Sequence, residues 1–306
     1  MPNTLPRIII GIPALNEEKN IGALLKDIAA QNCAGFKISE IIVNSDGSTD
    51  KTETVALSAT KLPVTVLSHK ERKGIAVRLN EVLAKARKEK VTAVILFDAD
   101  IRILDKNCLK NLLAPILKNN VDLTSCKISE LPTTNLVDRS LKVSMAIKHA
   151  LFSELNNGDN VYTCYGPVRA FSARLVEKLS FPYGIGNDAF SYLFTKQHGL
   201  KYHFVRNTEI IYKLPTDLSD HENQSQRFLE SQKLLAKDFG AEFVHTEYQI
   251  PTTLKLKSVL SYLVKEPVLV ITYLSILLSM QVKHFTSNGV PDLWDQATSS
   301  KTLNHS

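Results

Sequence analysis

Val91-Thr92-Ala93-Val94-Ile95-Leu96-Phe97-Asp98-Ala99-Asp100 is an apolar run that ends in two carboxylates separated by one small residue. It reads as a buried strand followed by paired acids. Such a pair suits Mg²⁺ or Mn²⁺, because hard cations take oxygen ligands, and Mg²⁺ is commonly held by one or two carboxylates together with substrate phosphates. The stretch therefore asks for a diphosphate. An Asp-x-Asp also occurs as ordinary loop chemistry after a strand, so the flanking sequence has to decide.

Upstream, strand patterns at 7–11, 38–43 and 64–68 alternate with helical patterns at 21–30, 50–59 and 75–88. That alternation predicts βαβ units in an α/β fold with a mostly parallel central sheet. Parallel sheets bind ligands beyond the carboxyl ends of their strands. Here those ends carry Pro13-Ala14-Leu15-Asn16-Glu17-Glu18, Ser45-Asp46-Gly47-Ser48-Thr49-Asp50 and His69-Lys70-Glu71-Arg72-Lys73-Gly74, beside Asp98-Ala99-Asp100. Each loop has an ordinary reading: Asn20 and Ser48-Thr49-Asp50 as helix caps, Asp46-Gly47 as a turn, and 70–73 as a solvated charge run. Their equivalent positions in successive units argue for one shared site.

Downstream the pattern is less regular. Residues 137–156 read as helix, 163–171 as a turn entering a strand, and 172–179 as a capped helix. The loop 181–186 then delivers Asn187-Asp188 to an apolar helix. An acid there gains from the helix dipole, which suits a base, although Asp188 is equally readable as a cap.

With 306 residues, 44% of them hydrophobic, the chain can bury a large core. The net charge of +6 is compatible with anionic substrates or a lipid surface. Nucleic acid is not expected as a partner, because the basic residues are scattered without aromatic interleaving or zinc-finger spacing. Cys33, Cys108, Cys126 and Cys164 form no Cys-x-x-Cys pair, which suggests neither a zinc site nor a disulfide framework and fits a reduced cytoplasmic compartment. The N-terminal residues lack signal-peptide architecture, so secretion is not expected. The longest uncharged apolar run, 267–282, would reach only about 24 Å as a helix, short of a hydrocarbon core of about 30 Å. It is readable as a core helix, an interfacial helix or a short span. Lys255, Lys257, Lys265 and Lys283 around it would suit an anionic inner leaflet.

Taken together, these motifs resemble the inverting nucleotide-sugar glycosyltransferases of family 2, over 8–228. Pro13-Ala14-Leu15-Asn16-Glu17 is similar to the family's first nucleotide loop, and 43–50 to its second. Lys73-Gly74-Ile75-Ala76-Val77-Arg78-Leu79-Asn80 resembles its Gly-x-Ala-x-x-x-Asn element, and Asp98-Ala99-Asp100 its metal motif. Gly166 to Phe171 resembles its acceptor-side loop, Asn187-Asp188 its Glu-Asp pair, and Gln224-Ser225-Gln226-Arg227-Phe228 its Gln-x-x-Arg-Trp motif.

The resemblance implies a GT-A fold, the Rossmann-like nucleotide-diphospho-sugar transferase architecture, with a C-terminal helical extension. It implies a UDP- or GDP-sugar donor, a saccharide or lipid-linked acceptor, and Mn²⁺ or Mg²⁺ as cofactor. By resemblance Pro13, Ala14, Leu15, Glu17 and Asp46 bind the nucleoside, and Asp98, Ala99 and Asp100 meet the ribose and the metal-bound diphosphate, with Asp98 and Asp100 as metal ligands. Gly166, Gln224 and Arg227 bind substrate, and Asp188 is the catalytic base. Lys73 is readable as a phosphate partner or as a surface lysine. The chain departs from the pattern at Asn187, where an acid is usual, at Phe228 in place of tryptophan, and at Lys213, where a histidine ligand is common; His221 is a candidate substitute.

The expected organisation is a GT-A domain over 1–235, a helical segment and candidate membrane contact over 236–285, and a polar tail over 286–306. The expected activity is metal-assisted transfer of a hexose-type sugar with inversion, peripheral to the inner face of a membrane; an oligomer is compatible with this. A retaining transferase resembling glucosyl-3-phosphoglycerate synthase is the enzymatic alternative, and Gln224 to Phe228 speaks against it. A noncatalytic nucleotide-sugar sensor is the alternative from another class.

Overall fold

The computed structural model describes residues 5–130, 136–212 and 230–284. Within them eight strands form one sheet: β1 (Arg7–Ala14), β2 (Lys37–Ser45), β3 (Val64–Ser68), β4 (Ala93–Phe97), β5 (Ile101–Arg102), β6 (Leu123–Glu130), β7 (Val168–Ser172) and β8 (Tyr202–Tyr212). Their order is β3-β2-β1-β4-β7-β6-β8-β5. The first half is parallel, as the βαβ reading requires, with Ala14 beside Ser45 and Ile10 beside Ile95. In the second half β7 runs antiparallel to both β4 and β6, while β6 and β8 are parallel.

The link between β4 and β5 curls this sheet. Only Asp98-Ala99-Asp100 separates the two strands, so four Cα steps can span roughly 15 Å. In a flat sheet they would stand four strand spacings apart, about 19 Å. The sheet must bend back on itself, and the two acids occupy the bend. Asp27 fixes the segment beyond it, accepting from Arg102 Nε at 2.6 Å and from the Ile103 N–H at 2.9 Å.

Helices α1 (Ile21–Ala29), α2 (Thr52–Ser58), α3 (Ile75–Glu89) and α4 (Cys108–Asn119) pack on the sheet, as do α6 (Ala173–Val176) and α7 (Asn187–Gln197), while α5 (Leu136–Glu154) packs on the C-terminal helices. Strand β1 is apolar on both faces: Ile8, Ile10 and Ile12 pack with Leu24, Leu25 and Leu112, whereas Ile9 joins Leu79, Val82, Leu83 and Phe171. Burial on both sides explains why the strand reads as a continuous apolar run. A Cβ on Gly11 would lie 2.6 Å from Val82 Cγ1, so the close seating of α3 on β1 depends on glycine.

Asn20 precedes α1 but makes no side-chain cap; its amide instead donates to Glu17 at 2.8 Å. Ser172 does cap α6, accepting from the Leu175 N–H. The C-terminal helices are Ala241–Glu247, Thr252–Lys265 and Pro267–His284, the last two packed against α5. Among the described residues no helix is long and apolar enough to cross a membrane. The tail at 286–306 lies outside the described residues, as do Lys213, His221, Gln224, Arg227 and Phe228.

Candidate active site

The first two polar loops are laced together. Asp46 N–H donates to the Ala14 carbonyl at 2.8 Å, which continues the β1–β2 pairing past the strand ends. The Asn16 N–H meets Ser48 Oγ at 3.1 Å, Asn16 Oδ1 accepts the Thr49 N–H at 2.9 Å, and the Glu17 N–H donates to Thr52 Oγ1 at 2.7 Å. Asn16 adopts a left-handed backbone at φ 55°, a conformation that asparagine tolerates better than most residues. Pro13 and Leu15 are half-buried, and Ala14 and Glu17 are buried.

Asp46 is tied to the third loop. Its carboxylate accepts from the Lys73 N–H at 2.8 Å, the Gly74 N–H at 2.9 Å and Arg78 Nε at 2.7 Å. Burial would raise its pKa, but these bonds outweigh burial and hold it below the ordinary 3.8. A carboxylate offers about four lone-pair sites, so three are taken and one remains. Arg78 is buried and also pairs with Glu81 at 2.8 Å. The side chain of Lys73 is exposed.

The acids gather where β4 and β7 meet. The Asp98 N–H donates to the Pro167 carbonyl at 3.1 Å, which brings Gly166 to the metal-type motif. A Cβ on Gly166 would stand 3.8 Å from Asp188 Oδ2, so the base candidate is also here. Asp98 keeps some exposed surface, yet its carboxyl is enclosed. Burial pushes it up to about 6; the Arg169 guanidinium opposes that rise, and the Asp188 and Glu17 carboxylates add to it. Ala99 is buried and Asp100 half-buried. This surplus of negative charge on hard oxygen donors is of the kind that suits a divalent cation. Among the described residues no group of three or more His, Cys, Asp or Glu side chains is placed to hold a metal ion.

Asp188 lies in the first turn of α7, where its Oδ1 accepts the Ala189 N–H at 2.8 Å. Three long-range attachments hold this region. Asn80 bonds the backbone of Phe181 twice, at 2.8 and 2.9 Å, and Ser231 Oγ accepts the Gly186 N–H at 2.8 Å. The third is Arg169, only 1% exposed, which donates to the Asn187 carbonyl at 2.7 Å, to the Asn187 side-chain oxygen and to Ser191 Oγ at 3.0 Å. Sequence reasoning passed over the roles of Arg169 and Asn80. The available signal was a lone arginine within the otherwise apolar strand Val168-Arg169-Ala170-Phe171.

A family model described as Glycosyl transferase family 2 matches residues 9–179. An uncharacterized protein of Methanocaldococcus jannaschii is 29% identical over 203 residues, covering 63% of this chain and 77% of its own length. The fold is similar to that of a mannosyltransferase from Pyrobaculum calidifontis, solved in complex with GDP-Man and Mn²⁺, with a TM-score of 0.57 at 18% identity over 95% of this chain and 78% of the other. It is also similar to glucosyl-3-phosphoglycerate synthase from Mycobacterium tuberculosis, in complex with Mn²⁺, UDP and phosphoglyceric acid, with a TM-score of 0.56 at 21% identity over 77% and 79%. These likenesses bear out the GT-A fold expected from the sequence.

Proposed function

The chain belongs to glycosyl transferase family 2 and is a glycosyltransferase; on that footing we propose that it moves a hexose-type sugar from a UDP- or GDP-sugar to a membrane-proximal saccharide or lipid-linked acceptor, with inversion. The observation that carries this reading is the gathering of the Asp188 and Glu17 carboxylates about Asp98, with Gly166 beside Asp188 and the Glu17 loop laced to the Asp46 loop.

Pro13, Ala14, Leu15 and Glu17 form one wall for the nucleoside, and Asp46 offers it the remaining lone pair while holding the Lys73-Gly74 wall in place. Asp98 and Asp100 would hold Mn²⁺ or Mg²⁺, which when bound supplies Lewis-acid neutralisation of the departing diphosphate. Asp188 takes the proton of the acceptor hydroxyl as that oxygen attacks the anomeric carbon. Gly166 leaves room for the hydroxyl to reach it. Lys73 contributes positive charge on the phosphate side. Gln224 and Arg227 are assigned to substrate by their motif alone.

We assign residues 1–235 to the catalytic domain and 236–285 to a membrane-facing segment, with 286–306 as its tail. The helices Thr252–Lys265 and Pro267–His284 turn Leu256, Leu260, Val264, Val268 and Ile271 to solvent, Val264 with 85% of its surface exposed. Contiguous apolar surface of this kind marks interaction sites, and Lys255 and Lys265 flank it.

The test of the reaction is product stereochemistry by NMR, together with nucleoside diphosphate release by wild type and Asp188→Asn. Inverted product and a loss of about 100-fold or more in Asp188→Asn support the assignment. A retained configuration refutes it in favour of the synthase-like alternative, and donor binding without turnover across a broad acceptor screen favours a sensor.

A further inference from the structure

The loop between Phe181 and Gly186 is pinned at both ends, by Asn80 at Phe181 and by Ser231 at Gly186. Phe181 and Ile185 are buried, whereas Tyr183 between them is 59% exposed. A large aromatic side chain is thus held out from a fixed loop instead of being folded into the core beneath it. Its ring stands on Gly74: Cε2 lies 3.7 Å from the position a Cβ would take there. Gly74, at φ 86°, is held in place by the bond from its N–H to Asp46. The next residue, Ile75, is exposed as well, so apolar surface continues onto the head of α3.

We propose that Tyr183 is the stacking platform for the nucleobase of the donor. The proposal rests on the reading that the nucleoside lies against the Asp46 loop, since the phenol stands on the peptide that Asp46 grips. A phenol face stacks purines and pyrimidines alike, because every base presents a π-face. Tyr183 therefore adds affinity for the nucleotide without choosing between UDP and GDP. Its position also couples two steps, because Asp188 follows five residues later on the same anchored segment. A nucleotide seated on Tyr183 rests on the piece of chain that carries the base.

Calorimetric titration of the full chain with UDP and with GDP, each with Mn²⁺, tests this. Tyr183→Phe should bind as wild type, and Tyr183→Ala and Tyr183→Leu should bind both nucleotides about tenfold or more weakly, the cost of losing one stacked base. In Tyr183→Trp the added indole emission should be quenched saturably by either nucleotide, above the background of Trp294. Equal binding by wild type and Tyr183→Ala, or no quenching in Tyr183→Trp while binding persists, overturns the platform and leaves the broader reading intact. A wild type that binds neither UDP nor GDP overturns both.

Discussion

Asn80 and Phe181, 101 residues apart, are joined in both directions: the Asn80 amide donates to the Phe181 carbonyl at 2.9 Å, and its oxygen accepts the Phe181 N–H at 2.8 Å. The pair ties α3, whose head carries Gly74, to the loop that leads into Asp188. Asn80→Ala should lower kcat about tenfold or more, since small displacements of catalytic groups are costly, while the fold loses about 1–2 kcal/mol. Asn80→Asp keeps the acceptor and loses the donor, and should fall between the two. Steady-state kinetics set beside urea unfolding separate the two effects; equal kcat in Asn80→Ala and wild type would show that the tie does not position the base.

Asp98 and Asp100 make a direct prediction about the cation. Chelation should abolish nucleoside diphosphate release, and Mn²⁺ or Mg²⁺ should restore it. Asp98→Asn should weaken Mn²⁺ binding in the presence of UDP by roughly 100-fold or more, since losing even a group that only supports a ligand costs about 10–100-fold. Calorimetric Mn²⁺ titration checks this, and unchanged affinity would place the metal elsewhere.

The Asp46–Arg78 pair contributes to acid stability. Because hydrogen bonding depresses the folded-state pKa of Asp46 below 3.8, its contribution is complete above that value and fades as pH falls through the lower folded value. Wild type should lose stability in that window more steeply than Asp46→Asn. Near neutral pH the variant leaves the buried Arg78 charge with Glu81 alone and should be destabilised by about 3 kcal/mol. Urea unfolding at several pH values measures both effects.

The apolar face of the C-terminal helices can be tested by charge insertion. Leu260→Asp and Val264→Asp should each reduce binding to anionic phospholipid vesicles by roughly tenfold or more, because each aliphatic side chain withdrawn from an apolar phase forfeits about 1.5–3 kcal/mol. Co-sedimentation of the full chain with vesicles reads this out. No binding by wild type would instead assign the face to another partner.

Much of the donor half was legible in the sequence because burial on both faces writes parallel strands as apolar runs. Ile8-Ile9-Ile10 and 93–97 are of this kind, and β3 was placed at 64–68 as observed. The second half of the sheet was less readable. Strand β6, Leu123-Thr124-Ser125-Cys126-Lys127-Ile128-Ser129-Glu130, buries hydroxyls in place of methyls: Thr124 Oγ1 donates to the Leu112 carbonyl at 2.9 Å and Ser125 Oγ to the Val168 carbonyl at 3.0 Å. Polarity satisfied by distant backbone cannot be told from a loop by pattern alone. The same applies to Arg169 and Asn80, whose partners lie 18 and 101 residues away. The acids were legible because each closes a local pattern, a strand end or a helix start, that is complete within a few residues.

The reversed strand β7 has a consequence for how such an enzyme can diversify. Because β7 runs antiparallel to β4, Gly166 arrives beside Asp98 from the opposite chain direction, and their seam is closed by a backbone bond, Asp98 N–H to the Pro167 carbonyl. A backbone bond is indifferent to side-chain identity. Side-chain replacements beside that bond leave it intact, and the Asn16, Ser48 and Asp46 loops are stitched separately among β1, β2 and the head of α3. The architecture thus lets side chains along this seam change while the main-chain contact that joins its two sides persists.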